Sequence, residues 1–399
     1  MPSPTSSGYD ICIIGGCGHV GLPLGIAFAS RGKRVALLDV NREAVERVNS
    51  GTMPFMDAGA DVALRQVIGN HLSATTDNSV MRGCSVLVAT IATPVDAHLN
   101  PELDDIWKMV EQVAPYIHDE QLFVLRSTVY PGVTEYVGEV FRRVGKQPLI
   151  AFCPERVAEG HALEEITSLP QIVSGLTPEA VRKAHELFAV LHPGVVELLP
   201  REAELAKLFS NAWRYINFAV ANQFYTLATQ ADLSFYRIYE AMTYDYPRLQ
   251  GFPRPGFTAG PCLYKDTMQL AAFSNNNFFL GHAAMLVNEG LPYFVITKLK
   301  ERFPLSQMTV GIAGMAFKAN SDDRRDSLSD KLRKILKLEA RQVLCSDPYI
   351  QDPEFVSLDV LVERSDLVVV GVPHRQYRDL RVDPAKVVDV WNLIGGQAL

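Results

Sequence analysis

Tyr9-Asp-Ile-Cys-Ile-Ile-Gly-Gly-Cys-Gly-His-Val-Gly21 is the stretch that decides the fold of the first half of this chain. A short apolar run leads directly into glycines at the spacing Gly16-x-Gly18-x-x-Gly21, and the pattern after them predicts a helix. Glycines at this spacing permit a tight turn and let the backbone approach a pyrophosphate at a helix N-terminus. Strand, glycine turn and helix together predict the opening of a dinucleotide-binding α/β domain.

An acidic residue follows the next apolar run: Asp39 lies 21 positions after Gly18. Such an acid accepts hydrogen bonds from an adenosine ribose and repels a 2′-phosphate, so the pattern favours NAD over NADP. The alternative is a glycine turn that binds another ligand. The residues of this turn and strand that we predict to contact the cofactor are Gly16, Gly18, His19, Val20, Gly21 and Asp39.

Apolar runs alternate with helical patterns at both ends of the chain. Predicted strands are 9–14, 34–39, 84–90 and 121–126, then 308–314, 342–347, 366–371 and 386–390. Continuous apolar runs indicate parallel strands that are buried on both faces. Between them, residues 202–231 have helical periodicity without Pro or Gly, which predicts one long helix, and a second helical region follows at 267–302.

The fold class predicted from this order is α/β, with two Rossmann-like doubly wound domains joined by a long central helix and helical region. The predicted boundaries are 1–200 for the NAD-binding domain, 201–303 for a central helical domain and 304–399 for a smaller C-terminal domain. The similarity between the two ends of the chain is one of sequence pattern only, and two independent α/β units also fit it.

Composition narrows the classes of function. The 399 residues include 38 basic and 45 acidic side chains, and the net charge of −7 argues against a nucleic-acid surface. The chain has no apolar run long enough for a membrane span, and its first eight residues lack the features of a signal peptide. The six cysteines lack metal-type spacing, so we expect reduced thiols, no metal site and a cytoplasmic protein without a membrane partner.

Six segments in order resemble the UDP-glucose/GDP-mannose dehydrogenase family. They are Gly16–Gly21 with the following Leu-Pro-Leu, Ser127–Gly132, Pro154–Gly160, Glu204–Asn211, Gly260–Asp266 and Ala316–Ser327, and they span almost the whole chain. The resemblance implies an enzyme that oxidises the C6 hydroxymethyl group of a UDP-sugar to a carboxylate and consumes two NAD. The product is a uronic acid of the kind that polysaccharide biosynthesis uses.

The resemblance implies a nucleophile and its helpers. Cys262 captures the C6 aldehyde as a thiohemiacetal, which a second oxidation converts to a thioester, and its thiolate is a strong nucleophile near neutral pH. Lys207 and Asn211, four residues apart on the predicted long helix, stabilise the oxyanion at C6. Glu155 activates the water that hydrolyses the thioester and should be partly desolvated, and Thr128 and Asp266 hold that water.

Substrate and cofactor contacts are also carried over from the family. Lys318 and Arg325 receive the nucleotide half of the substrate, with Arg324 as the rival for Arg325. Arg248 resembles a residue that reaches into the neighbouring subunit, which implies a homodimer through the helical middle. The sugar pocket is implied at Glu155, Arg156, Val157, Lys207 and Asn211, and further cofactor contacts at Thr93, Thr128 and Glu159.

One departure and three alternatives stay open. The family commonly has a histidine before the cysteine, whereas this chain has Pro261. The Pro-Glu-Arg form of the segment at Glu155 resembles the branch that acts on UDP-N-acetylhexosamines. The alternatives are a UDP-glucose 6-dehydrogenase, a two-electron dehydrogenase that needs neither Cys262 nor Glu155, and a protein that senses NAD or a nucleotide sugar without turnover.

Overall fold

The structure is a computed structural model that describes residues 8–90, 103–258, 260–396 and 399. The chain forms two compact units, Met1–Phe209 and Ser210–Leu399. Within the described ranges, no helix has both the length and the apolar character that crossing a membrane requires.

The first unit is built on an eight-stranded sheet in the order β3-β2-β1-β4-β5-β6-β7-β8. Neighbouring strands are parallel except β6 and β7, which pair antiparallel. The strands are β1 (Ile11–Ile14), β2 (Val35–Leu38), β3 (Leu72–Thr75), β4 (Val86–Ala89), β5 (Leu122–Leu125), β6 (Leu149–Phe152), β7 (Gln171–Gly175) and β8 (Val195–Glu197). The helices are α1 (Gly21–Ala29), α2 (Arg42–Asn49), α3 (Ala60–Val67), α4 (Leu103–Val113), α5 (Val133–Arg143), α6 (Ala162–Ser168) and α7 (Pro178–Ala189).

Both faces of this sheet are buried, which is why its strands are continuous apolar runs. Ile11 and Ile13 of β1 pack into one hydrophobic cluster with α1, while Cys12 between them packs into a second cluster with α4 and α5. β1 lies between β2 and β4, so the chain reverses direction across the sheet there. Ligands of open α/β sheets bind outside the carboxyl ends of the strands at such a switch point, and the glycine turn lies at this place.

The helical middle begins with α8 (Pro200–Gln230), a single helix of 31 residues within two residues of its predicted bounds. It continues with α9 (Phe235–Thr243), α10 (Leu263–Phe273) and α11 (Phe279–Arg302). The helical region predicted at 267–302 is therefore two helices. Asn275 and Asn276 adopt left-handed φ values of 53° and 61° between them, a conformation that asparagine tolerates and that ends a right-handed helix.

The C-terminal sheet has the order β10-β9-β11-β12, and all its strands are parallel. Its elements are β9 (Thr309–Ala313), α12 (Leu328–Glu339), β10 (Gln342–Ser346), α13 (Leu358–Arg364), β11 (Leu367–Val370) and β12 (Val387–Val388). Leu332 of α12 and Leu361 of α13 belong to different hydrophobic clusters, so helices cover both faces. The predicted α/β class with two doubly wound sheets is confirmed, and the boundaries at 200 and 303 stay a prediction.

Candidate active site

The glycine turn after β1 leaves room for a ligand at one position. A Cβ atom at Gly16 would lie 2.7 Å from backbone atoms, and one at Gly21 would lie 2.6 Å from the Gly15 carbonyl oxygen. At Gly18 the nearest atom would be 3.5 Å away, so this glycine is not required by packing. Val20 precedes α1 and provides no side-chain cap. In the first turn the Leu22 N–H donates to the Gly18 carbonyl oxygen at 3.0 Å and Pro23 has no N–H, so the space for a ligand is at Gly18. The turn therefore fits a pyrophosphate.

Asp39 holds the glycine turn from the end of β2. Its Oδ2 accepts the Cys17 N–H at 3.0 Å and its Oδ1 accepts the Asn41 N–H at 3.0 Å. The residue is only half-buried, so the carboxylate remains accessible for a ribose. These features fit NAD, which supplies the hydride acceptor when it is bound. Thr93, predicted to contact the cofactor, lies outside the described residues.

Two predicted cofactor residues from distant segments meet beside the turn. His19 Nδ1 lies 3.0 Å from Glu159 Oε1, and the His19 ring stacks on Phe55 with 4.0 Å between centroids. The acidic segment after β6 thus lies beside the glycine turn. Thr128 is half-buried in the segment that follows β5, the next strand of the sheet to β6.

Glu155 follows β6 and is 8% exposed, in agreement with the desolvation expected for it. Its Oε2 accepts two hydrogen bonds from Arg126, from Nη2 at 2.7 Å and from Nε at 3.1 Å. Its Oε1 accepts the backbone N–H groups of Arg156 at 2.8 Å and Val157 at 3.2 Å. The sequence motif found Glu155 but not Arg126, whose only signal is a charged residue at the end of an apolar strand.

Arg156, predicted to line the sugar pocket, donates a hydrogen bond from its guanidinium to the Pro170 carbonyl oxygen. Partial burial lowers the pKa of Arg156. Val157 is half-buried next to it. Both residues therefore lie next to Glu155, and part of the Arg156 guanidinium is already bound to the protein backbone.

Glu204 of α8 has a structural role. It is fully buried, and it accepts the N–H groups of Gly132 at 2.7 Å and Thr134 at 2.9 Å at the start of α5. Burial raises the pKa of Glu204, although these hydrogen bonds act in the opposite direction. The contact fixes the beginning of α8 against the turn that follows Thr128. Lys207, one helical turn further on, is buried as well.

Cys262 differs from the other five cysteines, all of which are buried, because it is exposed. It lies immediately before the first residue of α10. Burial raises the pKa of the Cys17 and Cys153 thiols to about 12, so these two are poor nucleophiles at neutral pH. Cys262 is therefore the accessible thiol of the chain.

Asn211 and Asp266 meet one turn behind Cys262. Asn211 Nδ2 donates to Asp266 Oδ2 at 2.5 Å, and the two residues are 5% and 1% exposed. Lys265 Nζ lies 3.7 Å from Asp266 Oδ1, which accepts no hydrogen bond from any described residue. Two of the predicted catalytic residues, from α8 and α10, are thus joined in a buried contact in the unit that carries the thiol.

The turn before Cys262 requires its glycines. Gly260 has a φ of 108°, and a Cβ atom there would lie 2.4 Å from the ring of Phe317. A Cβ atom at Gly256 would lie 2.2 Å from the ring of Trp391. Phe317 immediately precedes Lys318, so the cysteine turn packs on the segment predicted to receive the nucleotide.

The structure separates the two candidate arginines. Arg324 pairs with Asp330 and Asp352, with N–O distances of 2.8 Å and 2.7 Å. Arg325 contacts Asp323, and its side chain is 57% exposed. Arg324 thus binds two aspartates, whereas Arg325 binds one and keeps more of its side chain exposed. Lys318 is half-buried, and Arg248 is exposed with Nη1 3.4 Å from the Tyr246 hydroxyl oxygen.

Comparison with protein families gives a consistent match along the chain. The NAD binding domain, central domain and UDP binding domain of the UDP-glucose/GDP-mannose dehydrogenase family match residues 9–192, 201–289 and 311–396. The three matches follow the order of the predicted domains.

Individual proteins that resemble this chain are nucleotide-sugar dehydrogenases. A UDP-N-acetyl-D-mannosamine dehydrogenase from Pyrococcus horikoshii is 29% identical over 92% of this chain and 90% of its own length. An NDP-N-acetyl-D-galactosaminuronic acid dehydrogenase from Ralstonia nicotianae is 28% identical, with 92% of each chain covered.

Solved structures agree with these sequence matches. A UDP-D-ManNAc dehydrogenase from Pyrococcus horikoshii superposes with a TM-score of 0.89 at 27% identity, covering 96% of each chain. A UDP-glucose dehydrogenase from Pyrobaculum islandicum has a TM-score of 0.88 at 25% identity, covering 99% of this chain and 97% of its own.

Proposed function

Because this chain belongs to the UDP-glucose/GDP-mannose dehydrogenase family and is an NAD-dependent nucleotide-sugar dehydrogenase, we propose that it oxidises the C6 hydroxymethyl group of a UDP-N-acetylhexosamine to a carboxylate. The reaction removes four electrons in two steps and passes through a thiohemiacetal and then a thioester on Cys262. The observation that carries the proposal is the exposed thiol before α10, with the buried Asn211–Asp266 contact one turn behind it.

The proposed roles follow the chemistry of each step. Lys207 and Asn211 donate to the C6 oxygen when it carries negative charge, and a donor of this kind is worth roughly 3 kcal/mol of transition-state stabilisation. The Cys262 sulfur adds to the C6 aldehyde to give a thiohemiacetal, and loss of a second hydride leaves a thioester. The glycine turn and Asp39 would hold NAD, which would supply the hydride acceptor for each oxidation.

Hydrolysis completes the reaction. A water held by Thr128 and Asp266 adds to the thioester carbon, and Glu155 accepts its proton. The carbon–sulfur bond then breaks, and the thiol and the uronic acid are released without further redox change. The proposed ligands of the nucleotide half are Lys318 and Arg325, with Arg325 preferred to Arg324 because its side chain is the more exposed.

A hexosamine substrate is supported by the names of two relatives, which act on N-acetylmannosamine and N-acetylgalactosamine derivatives. UDP-glucose is the second candidate, since a structure named as a UDP-glucose dehydrogenase superposes almost as well. The accessible nucleophilic thiol among five buried thiols fits a reducing compartment, so we propose a cytoplasmic enzyme.

We propose a homodimer through the helical middle. Trp213, Phe224 and Leu227 lie on one face of α8, and Trp213 is 67% exposed. Ile238 of α9 is an exposed apolar residue as well. A large exposed apolar face indicates an interaction surface. In such a dimer Arg248, exposed after α9, contributes to the partner's substrate site. A Trp213→Glu, Leu227→Glu variant should be monomeric by light scattering, whereas an unchanged mass would contradict this interface.

The reaction is tested by the number of NADH molecules formed per sugar consumed. UDP-N-acetylmannosamine, UDP-N-acetylgalactosamine, UDP-N-acetylglucosamine and UDP-glucose are each incubated with the protein and NAD. Two NADH with one hexosamine would support the proposal and name the substrate. One NADH would favour the two-electron dehydrogenase, and binding without any NADH would favour the sensor.

The role of the thiol is tested with a matched pair of variants. Cys262→Ala should abolish acid formation, because no acyl group can be held on alanine. Cys345→Ala removes a buried thiol from the same unit and should leave turnover unchanged. Acid formation by Cys262→Ala at the wild-type rate would remove Cys262 from the mechanism.

A further inference from the structure

Arg126 is a fully buried cation that the sequence motifs do not mark. It follows β5, its side chain is 0% exposed, and its guanidinium donates four hydrogen bonds. Two of these bonds reach Glu155, one reaches the Cys153 carbonyl oxygen at 3.0 Å, and one reaches Gln171 Oε1 at 3.1 Å. The guanidinium also lies over the ring of Phe188, 4.7 Å from its centroid. Arg126 therefore has one fixed position.

Every donor to the Glu155 carboxylate is likewise fixed. Arg126 binds Oε2 through two N–H groups, and the Arg156 and Val157 backbone binds Oε1. The Arg126 carbonyl oxygen in turn accepts the Glu155 N–H at 3.2 Å. The side chain is 10% exposed, so any contact with a water or substrate uses this small accessible edge. The ends of β5 and β6 are thus joined through one buried ion pair.

A buried ion pair is a poor source of stability, because desolvation of the charges offsets their attraction and apolar replacements are often as stable. Its presence at the carboxyl ends of two strands, two residues before Thr128, suggests a functional reason. Strand ends of this kind carry the reacting groups of α/β enzymes.

We propose that Arg126 is the positioning residue for thioester hydrolysis: it holds the Glu155 carboxylate in the orientation that accepts a proton from water. This inference rests on the proposed function, and it deepens the role given there to Glu155. Arg126 acts through Glu155 and touches neither substrate nor cofactor. The two oxidations that precede the thioester do not use Glu155, so they should not depend on Arg126.

The test follows the oxidations and the hydrolysis separately in the full chain. With the best UDP-sugar, Arg126→Met should form two NADH per active site in a rapid burst and then turn over about a hundredfold more slowly than wild type, the lower end of general-base effects. Intact-mass measurement should detect the sugar acyl group on the protein, as in Glu155→Gln. The double variant Arg126→Met, Glu155→Gln should hydrolyse the thioester no more slowly than Glu155→Gln alone, because both changes remove the function of the same carboxylate.

Two further variants separate positioning from folding. Arg126→Lys keeps the charge without the two-point contact, so it should recover part of the hydrolysis rate and remains informative where Arg126→Met does not fold. Gln171→Met removes another partner of the guanidinium but leaves the ion pair, and it should lower stability without accumulation of the adduct.

Three outcomes would overturn the role of Arg126: hydrolysis at the wild-type rate in Arg126→Met or in Arg126→Lys, a loss of the burst without adduct, or the same adduct in Gln171→Met. Fewer than two NADH per sugar from the wild-type protein would instead contradict the proposed function itself. The two failures are therefore distinguishable in one set of measurements.

Discussion

Each Rossmann-like sheet of this protein has an aspartate after its second strand in chain order. One of these carboxylates is accessible to solvent and the other is buried. After β2, Asp39 is half-buried and binds the N–H groups of Cys17 and Asn41. After β10, the side chain of Asp347 is fully buried. It accepts backbone N–H groups from the glycine turn after β9 and from its own loop, and it contacts His374 Nε2 at 3.2 Å.

The sequence pattern of strand, glycine turn, helix and acid therefore does not determine whether the acid is available to a ligand. His374 Nδ1 accepts the Asn320 N–H at 2.9 Å, so its Nε2 carries the proton and donates to Asp347. The carboxylate of the C-terminal sheet is thus occupied by the protein's own groups, whereas Asp39 keeps an accessible edge. Of the two described acids, only Asp39 is therefore suited to bind a ribose.

Asp347→Asn should have the largest effect on this comparison. An amide accepts on one oxygen only, so backbone N–H groups that now bind the second oxygen lose their acceptor in a buried place. We expect a loss of about 3 kcal/mol in the free energy of unfolding of the C-terminal unit. Chemical denaturation of the full chain measures it, and NAD affinity should not change. Weakened NAD binding with an unchanged midpoint would reverse the roles assigned to the two acids.

Lowering the pH should reproduce part of this loss of stability in the wild-type protein. Burial by itself would raise the pKa of Asp347, but the bonds from His374 and from the Met315 and Tyr349 N–H groups lower it overall. An acid whose pKa is lower in the folded state contributes stability above its unfolded pKa, here about 3.9, and loses it as the pH falls through the folded value. Between about pH 5 and pH 2, the free energy of unfolding should fall more steeply in wild type than in Asp347→Asn. Parallel curves would contradict this.

Two glycines of the NAD turn should respond to alanine in opposite ways. A Cβ atom at Gly21 meets backbone atoms, so Gly21→Ala should cost about 2 kcal/mol of stability. A Cβ atom at Gly18 would make only an ordinary contact, 3.5 Å from the Gly15 carbonyl oxygen, so Gly18→Ala should fold normally. It should weaken NAD binding by roughly tenfold or more, because the methyl group occupies the approach of the pyrophosphate. Calorimetry for NAD and thermal unfolding separate the two effects. Equal stability losses would mean that Gly18 is also required for packing.

Much of the fold is predictable from the sequence because its strands bury both faces. β1, β2, β4 and β5 are continuous apolar runs, and they lie within two residues of the predicted bounds. β3 has the sequence Leu-Ser-Ala-Thr with alternating burial, a weaker pattern that gave no prediction. The break between α10 and α11 depends on two asparagines in a left-handed conformation, which a helical periodicity does not reveal.

The candidate site residues could be proposed from the sequence where a motif is local, but contacts between residues distant in sequence could not. Cys262 and Asp266 lie in one segment, and Asn211 shares a motif with Lys207. In the sequence, Arg126 is recognisable only as the end of a strand. Its role is not visible there, because its partners Glu155 and Gln171 lie 29 and 45 residues away. The choice between neighbouring arginines likewise depends on Asp352, 28 residues from Arg324.

Asp39→Ala tests the open acid of the comparison. The change removes an acceptor of the ribose and also releases the Cys17 N–H in the turn. We expect a decrease in NAD affinity of about tenfold, equivalent to about 1.4 kcal/mol, with little change in the unfolding midpoint. Relative affinity for NADP should rise, since the repulsion of a 2′-phosphate is removed. An unchanged affinity for NAD would remove Asp39 from the cofactor site.

The smallest expected effects concern two neighbouring arginines of the C-terminal unit. Arg324 is assigned to the fold, and Arg325 is proposed to bind the ligand. Arg324→Gln breaks partly exposed pairs with Asp330 and Asp352 and should lower stability by about 1 kcal/mol, with an unchanged KM for the UDP-sugar. Arg325→Gln should raise that KM several-fold, because a phosphate loses its guanidinium contact, and it should also lower stability, because the buried Asp323 carboxylate loses the same guanidinium. If Arg324→Gln raises the KM and Arg325→Gln does not, the assignment of the nucleotide ligand passes from Arg325 to Arg324, and the exposure of a guanidinium is then a poor guide to which one binds substrate.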